Sequence, residues 1–423
     1  MRATVIGFGC RLNQSESDAI GAALREQGWA IGASDELDWV IVNTCTITHA
    51  ADADARAAIR RAHREHPRAR IAVTGCWAES EPQQAAALPG VALVVGNASK
   101  HSLPSLLGGA QLVQVGRLRE RAPLRPLPPA IDARARALLQ VQDGCDYRCS
   151  FCIVPSVRGR SRSLPTREVL ARVRTLVDAG VAELVTTGVH LGTWGRDLGE
   201  RGGITELVAR IVPLLGEARL RLSSIDPHEV DDELLALMAA HPRAICRHLH
   251  LPVQSCDDGV LRRMRRAHDA ASFVALVERA TARMPGLAIS SDVIVGHPGE
   301  DDDAFARTHD VLARLPIAYL HVFPYSRRRG TAAIAMPDHV PPQVIAARSR
   351  SLRALSQRKA DAFRTRHGGG ELDLVVHRHA DARGRWWARS DNDLRFELHD
   401  AAGVAGRRVR AHADPDGVTA RFV

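Results

Sequence analysis

The chain has 423 residues, 45% of them hydrophobic and 25% charged, and carries a formal net charge of +9. That length supports roughly two to four domains with buried cores, and that composition excludes collagen-like, coiled-coil and wholly disordered chains. No apolar run approaches the ~18–20 residues of a spanning helix, and the first residues lack the long apolar core of a signal peptide; no membrane association and a cytoplasmic location are therefore expected.

Charge is spread unevenly. From His321 to Val423 there are 19 Lys+Arg against 11 Asp+Glu, which places +8 of the formal +9 in the last quarter. A basic end module on a near-neutral body suggests a polyanion partner, most simply nucleic acid. Only Lys100 and Lys359 are lysines, and the arginine excess suits phosphate contacts but follows equally from a GC-rich genome. The cysteines stand at 10, 45, 76, 145, 149, 152, 246 and 256. In a cytosolic chain such thiols point to metal or catalysis rather than to disulfides.

In chain order, Ala3–Gly7, Trp39–Asn43 and Ile71–Thr74 read as short strands, with helical stretches at Glu16–Gln27 and Ala50–His66. This βαβα order predicts a parallel sheet. Each run is followed within a few residues by a cysteine, Cys10, Cys45 or Cys76. Open parallel sheets gather ligands beyond the carboxyl ends of their strands, so three residues distant in sequence can converge there. After Val91–Gly96 the pattern weakens, and the Pro-rich stretch from Arg121 to Pro129 reads as a stiff linker.

Alternation resumes with strands at Leu138–Val141, Glu183–Thr187, Arg219–Ser223, His248–Pro252, Ile289–Val295 and Ala318–Phe323, and helical patterns between them. Six successive βα units predict a barrel or partial barrel with its site at the carboxyl ends of the strands. A helical, Arg-rich connection at Val344–Arg366 leads to five short strand-like runs between Leu372 and Val423, the pattern of a small all-β barrel. There, Trp386 and Trp387 lie beside Arg385 and Arg389; alternation along a strand sends one ring inward and the other outward, where it can stack on bases.

Cys145, Cys149 and Cys152 have the spacing C-x3-C-x2-C directly after the first barrel strand. Three thiolates in so tight a loop can bind three irons of a cubane cluster and leave the fourth open. The alternative, structural zinc, wants a fourth ligand in paired C-x2-C units, and none lies nearby.

With Phe151 as the aromatic before the last cysteine, this loop resembles the radical S-adenosylmethionine signature. Its setting, Gln142 to Cys145 and Cys152 to Pro155 followed by Arg158 to Ser163, is similar to that of the methylthiotransferases. The resemblance runs nearly end to end. It includes Gly9 to Asn13, Asn43 to Thr48, Thr74 to Cys76, His250 to Ser255, Ser291 to Glu300 and His321 to Ser326. It implies an α/β protein of three parts: an N-terminal parallel-sheet domain at 1–115, a linker at 116–136 and a radical S-adenosylmethionine partial (βα)6 barrel at 137–366. An RNA-binding TRAM β-barrel completes the chain at 367–423.

The resemblance also implies two 4Fe-4S clusters, an auxiliary one on Cys10, Cys45 and Cys76 and a radical one on Cys145, Cys149 and Cys152. It implies S-adenosyl-L-methionine as cofactor, with Phe151, Thr187, Gly188, Ser223, Ser224, Gln254 and Asp292 as contacts; at the strand-end positions among these a cap or turn is the alternative role. The implied reaction adds a methylthio group to carbon two of an adenosine beside the tRNA anticodon, with an electron donor and a sulfur source of unknown identity. The threonylcarbamoyl branch is expected, because Asn43 to Thr48, Thr187 to His190 and His321 to Ser326 resemble that branch. A threonylcarbamoyl group brings a carboxylate that needs a charged partner, and Arg158, Arg160, Arg162 and Arg327 to Arg329 are candidates, with phosphate contact or a solvated rim as their alternative. Prenylated adenosine or a ribosomal protein are the alternative substrates, and a non-catalytic iron–sulfur RNA-binding protein or redox sensor is the alternative class.

Two positions depart from the family pattern: Cys256 stands where glycine is usual and His297 where an aromatic is usual. Cys246 reads as a buried small hydrophobe. Among the 19 His, His250 and His297 fall within the barrel motifs, and neither has ligand spacing.

Overall fold

The computed structural model describes every residue except 35, 110–111, 117, 119–122, 132–134, 367–369, 400, 415–417 and 423. Parts of the expected linker, the junction at 367 and the last residue of the final expected strand, Val423, therefore lie outside the described residues.

The chain opens with six strands, β1 (Arg2–Gly7), β2 (Ala30–Ile31), β3 (Trp39–Thr44), β4 (Arg70–Gly75), β5 (Val91–Val95) and β6 (Leu112–Gln114), in the all-parallel order β2-β1-β3-β4-β5-β6. Every residue of β3 is buried, as a central parallel strand covered by helices on both faces requires. Helix α1 (Arg11–Glu26) begins immediately after Cys10, five residues earlier than its pattern predicts. The short edge strands β2 and β6 carry too little pattern to be read from sequence.

Next come β7 (Arg136–Gln140), the two-residue strands β8 (Gln142–Asp143) and β9 (Arg162–Ser163), β10 (Glu183–Thr187), β11 (Arg219–Arg221), β12 (His248–His250), β13 (Ala288–Val295) and β14 (Tyr319–Pro324). Two parallel three-stranded sheets, β7-β10-β11 and β12-β13-β14, are joined by single bridges from Leu220 to Ile245 and from Ser224 to His250. The six strands thus follow one curved order, and among the described residues β14 does not pair back to β7, so the barrel is partial. Leu184, Leu220, Leu249, Ile289 and Val293 point from these strands into the core shared with the surrounding helices. Antiparallel pairing of β8 with β9 closes the base of the cysteine loop, a device too short to read from sequence.

A helix at Pro342–Thr365 leads to β15 (Glu371–Val376), β16 (Trp386–Ser390), β17 (Arg395–Leu398), β18 (Arg408–Ala413) and β19 (Thr419–Phe422), which close into a barrel in the order β15-β16-β17-β19-β18. Leu374, Val376, Ala388, Phe396, Leu398 and Ala411 fill it. It seats on the amino-terminal ends of the partial barrel. Arg219 donates to the Asp373 and Arg389 carbonyls at 2.8 and 2.9 Å, Arg221 to those of Ser390 and Asp391 at 2.8 and 3.1 Å, and Tyr319 Oη to Asp393 at 2.9 Å. Between the two arginines lies the fully buried Glu183, 2.8 Å from each Nε. Burial opposes its ionisation, yet the guanidiniums of Arg221 and Arg219 hold the carboxyl well below its usual range. Cys246 is buried as expected, but against this ionic cluster, 3.8 Å from Glu183 Oε2, rather than among apolar groups.

In the expected linker, the carbonyls of Pro126 and Leu127 each accept from Arg172 at 2.9 Å, strapping the segment to the helix Thr166–Asp178. One expectation needs correction. Arg158 is not available to a substrate. It is 2% exposed and pairs with Glu16 at 2.8 Å, with Asp143 at 3.0 Å and with Asn13. This arginine therefore ties α1, which starts beside Cys10, to β8, which opens the radical loop.

Candidate active site

Strands β1, β3 and β4 are neighbours, so Cys10, Cys45 and Cys76, each just past a carboxyl end, meet at one edge of the sheet. Two glycines make the approach possible. At Gly9 (φ +87°) a Cβ would lie 2.6 Å from Cys45 Sγ, and at Gly75 (φ +94°) it would strike the Thr44 backbone. Burial pushes the Cys45 thiol up to about 12, with Cys76 and Cys10 adding to the effect, and raises Cys76 as well. Asn97 Nδ2 faces Cys76 Sγ at 3.8 Å.

Cys145, Cys149 and Cys152 converge in the loop between β8 and β9. Burial pushes Cys145 and Cys152 up to about 12, each reinforced by neighbouring thiols of the loop. Such thiols keep their protons until a metal displaces them. Around them stand polar groups that the sequence reading did not single out. His190 Nδ1 lies 3.4 Å from Cys145 Sγ and its Nε2 2.8 Å from Glu229. Arg266 Nη1 donates to Cys149 Sγ at 3.5 Å while its other nitrogen holds Asp226. Gln142 ties the loop to the end of β10, donating to the Gly144 carbonyl at 2.7 Å and accepting from the amides of Val189 and His190 at 2.9 and 2.8 Å. Of these, only His190 and Gln142 sit in a recognisable motif; Arg266 gave no local signal.

A chamber of about 500 Å³ separates the triads, lined by Cys10 and Cys45 from one domain and by Phe151, Cys152, Gln254 and Asp292 from the other. Among the predicted cofactor contacts, Phe151, Gln254 and Asp292 are thus brought together with both triads. Thr187, Gly188, Ser223 and Ser224 are not; they sit on the adjoining half of the barrel, Gly188 pressed against Gln142 and Ser224 bridged to His250. Gln254 adopts φ 68°, unusual for a non-glycine residue, and its buried Oε1 has no partner among the described residues; nor, among them, do the buried Ser223 Oγ and Tyr325 Oη. The orphan atoms of Gln254 and Tyr325 on the chamber that Cys152 lines, with three thiols that have no fourth protein ligand among the described residues, fit a cluster with one open iron and a polar cofactor bound to it.

His297 is neutral. Its Nδ1 faces the Pro298 carbonyl at 3.1 Å and must donate to it, so Nε2, 2.9 Å from Ser150 Oγ, accepts. The ring stands edge-on to Phe151 and Tyr325, filling the aromatic position and locking the radical loop. Burial lowers its pKa from 6.5 to about 4. Its contribution to stability is complete above pH 6.5 and is lost as pH falls towards 4, on the order of 3 kcal/mol in all. Unfolding measured across that window is expected to show a steeper acid loss for the parent than for His297→Phe. Equal slopes would show that the ring does not titrate there.

Cys256 belongs to the apolar core of the barrel rather than to the chamber, with its amide donating to Thr308 at 3.1 Å. Three more of the candidate arginines are paired with carboxylates, Arg160 while its side chain stays more than half exposed. Arg160 pairs with Asp146 at 2.9 Å, Arg162 with Asp143 at 3.1 Å, and Arg328 with Asp52 at 2.8 Å. Acidic residues on the facing domain or loop already hold these charges. Arg327 instead lines an outer groove with His49, His339 and Arg353, which meets the chamber along Pro324 to Ser326. On the C-terminal barrel, Trp386 packs against the core, while the Trp387 ring lies under Arg395 and Arg385 at 3.8 and 5.0 Å. No helix among the described residues is long and apolar enough to cross a membrane.

Residues 139–312 match the Radical SAM superfamily, and residues 2–96 match Uncharacterized protein family UPF0004. A solved radical S-adenosylmethionine methyltransferase, TsrM from Kitasatospora setae, is similar in fold, with a TM-score of 0.56, 16% identity and 78% of this chain and 76% of that one covered. A partial barrel with a three-cysteine loop at its carboxyl ends thus defines the class, that of radical S-adenosylmethionine proteins, which implies one 4Fe-4S cluster and S-adenosylmethionine. The threonylcarbamoyladenosine tRNA methylthiotransferase MtaB of Rickettsia prowazekii is 38% identical, over 89% of this chain and 88% of its own. The tRNA-2-methylthio-N(6)-dimethylallyladenosine synthase of Acidothermus cellulolyticus is 34% identical, over 89% of this chain and 77% of its own. The chain belongs to the radical S-adenosylmethionine methylthiotransferase family.

Proposed function

We propose that the protein adds a methylthio group to carbon two of the threonylcarbamoyl-modified adenosine adjacent to the anticodon of tRNA. The observation that carries this reading is the single chamber lined by cysteines of both triads. An iron–sulfur sensor needs no second triad facing the first, whereas transfer of sulfur to a base held between them does. The 38% identity to a relative named for threonylcarbamoyladenosine supports the branch.

In this reading Cys145, Cys149 and Cys152 hold the radical cluster and Cys10, Cys45 and Cys76 a second 4Fe-4S cluster. When bound, the clusters and S-adenosylmethionine supply the radical and the sulfur, chemistry that no side chain provides. The chain's own residues position and shield. Arg266 presents an N–H group to the Cys149 sulfur, His190 sets a ring nitrogen beside the Cys145 sulfur, and the Arg158 tie fixes the distance between triads. Gln254, Asp292 and Phe151 orient the cofactor, and Ile294 and Phe323 keep the chamber dry. Arg327, Arg353, His49 and His339 offer phosphate contacts along the outer groove, and Trp387 with its arginines offers a more distant one. A soluble, cytoplasmic setting accords with a tRNA substrate.

The test is to incubate the anaerobically reconstituted protein, S-adenosylmethionine and a chemical reductant with tRNA bearing either precursor, and to analyse the nucleosides by mass spectrometry. The methylthio product is expected on threonylcarbamoyl tRNA. Product on prenylated tRNA alone would overturn the branch, and product on neither, with cofactor still cleaved, would overturn tRNA as the substrate.

A further inference from the structure

On β13, Ile289 and Val293 face the helices, so the alternate residues Ser290 and Asp292 face the barrel interior. Asp292 is the register partner of His321 on β14, and Ser290 that of His250 on β12. One ligand-type atom from each of His250, Asp292 and His321 falls within 4.8 Å of the others, a cluster that spacing in the sequence does not reveal. His250 is anchored at both nitrogens, Nε2 3.1 Å from Asp292 and Nδ1 2.8 Å from Ser290 Oγ. His321 makes no hydrogen bond among the described residues; its ring stands edge-on to Tyr319 at 5.2 Å and tilted to His250 at 5.5 Å. This is a poor cage for a metal ion. The His250–Asp292 separation is that of a hydrogen bond already made, and a 4.8 Å spread is wide for donors that must each approach one ion to about 2.0–2.2 Å.

Arg11 is exposed and directly follows Cys10, which lines the chamber together with Asp292. Its charge reaches His321, Tyr319 and His248. Three largely buried arginines of this region are already neutralised: Arg158 by Glu16 and Asp143, Arg266 by Asp226, and Arg328 by Asp52. Arg11 alone of these four has no carboxylate partner among the described residues.

We infer that Arg11, His321 and the His250-anchored Asp292 form the subsite that receives the threonylcarbamoyl group on N6 of the adenosine. Resting on the substrate reading above, it names the groups that read that appendage. In adenine, carbon two and the N6-bearing carbon flank N1, so a base presenting carbon two to the cysteines directs its N6 substituent elsewhere within the same chamber. The carboxylate of the appendage takes both N–H groups of the Arg11 fork, its hydroxyl and ureido N–H donate to Asp292, and His321 completes the set. A prenyl group would desolvate the same polar atoms and return nothing, which is how a site built for hydrogen bonds rejects an apolar analogue.

The experiment measures binding of the full-length, iron-reconstituted protein to an anticodon stem-loop with and without the threonylcarbamoyl group, and kcat/KM on tRNA bearing each precursor, every rate normalised to iron content. For the parent, the appendage should tighten binding. In Arg11→Gln that gain should shrink about 10- to 100-fold, with the loss mainly in KM, and Arg11→Lys should recover part of it. His321→Phe should move the kcat/KM ratio towards prenylated tRNA. Asp292 is left intact because it is also a proposed cofactor contact. If the parent acts on threonylcarbamoyl tRNA while Arg11→Gln and His321→Phe both stay within about twofold of it in gain and ratio, the subsite is overturned and the function stands. A parent active only on prenylated tRNA removes both.

Discussion

Replacing Cys145, Cys149 and Cys152 together with alanine is expected to abolish reductive cleavage of S-adenosylmethionine and to remove about half of the bound iron. The same treatment of Cys10, Cys45 and Cys76 should also remove about half of the iron but leave cleavage in place. The asymmetry follows from where the triads are anchored. One stands on the carboxyl ends of β1, β3 and β4, the other in a loop closed by β8 and β9, and no cysteine is shared. Iron and sulfide analysis gives the first readout and chromatographic detection of 5'-deoxyadenosine the second. If either triple variant loses all its iron, the two sites are one cluster and the proposed division fails.

The second large effect lies at the opposite end of the barrel. Glu183→Gln should destabilise the protein by about 3–5 kcal/mol, because it leaves Arg219 and Arg221, 1% and 0% exposed, without their shared counter-charge. Both arginines also hold the C-terminal barrel in its seat, so the loss should reach that module as well. Since the Glu183 carboxyl is held below its ordinary 4.5, its contribution is present above that pH and is lost on acidification towards the folded value. Denaturant unfolding near neutral pH and at pH 4 would show a large gap between parent and variant that narrows in acid. A loss under about 1 kcal/mol at neutral pH would show that the carboxylates of Asp373 and Asp393, each 3.3 Å from one arginine, and the carbonyls of Asp373, Arg389, Ser390 and Asp391 satisfy the pair without Glu183.

This seat also bears on how RNA binding by the C-terminal barrel should be tested. Truncation after Arg366 would expose the buried arginines and confuse lost affinity with lost stability. Substitutions at the outward-facing Trp387 and Arg395 leave the seat intact.

The sequence by itself determined the strand and helix order, the division into parallel sheet, partial barrel and closed β-barrel, and the two cysteine triads. Each of these is written in local terms. Period-two and period-3.6 patterns decide the elements, βα alternation decides parallel pairing, and a strand followed by a cysteine places that thiol at the carboxyl edge. That one of Trp386 and Trp387 faces inward and the other outward also follows from alternation along one strand.

Only the tertiary structure decided which side chains across elements meet. Arg158 and Arg328 look like free cations in the sequence, because nothing local shows that Glu16 and Asp52, 142 and 276 residues away, are their partners. Arg266 reaches the Cys149 sulfur from 117 residues away, with no motif to announce it. His250 lacks ligand spacing, yet adjacent parallel strands set it beside Asp292 and His321, since neighbours in a parallel sheet are separated in sequence by a whole crossover. The expected cofactor contacts at strand ends divide for the same reason. Barrel curvature turns Gln254 and Asp292 into the chamber and leaves Thr187, Gly188, Ser223 and Ser224 on the other half of the wall.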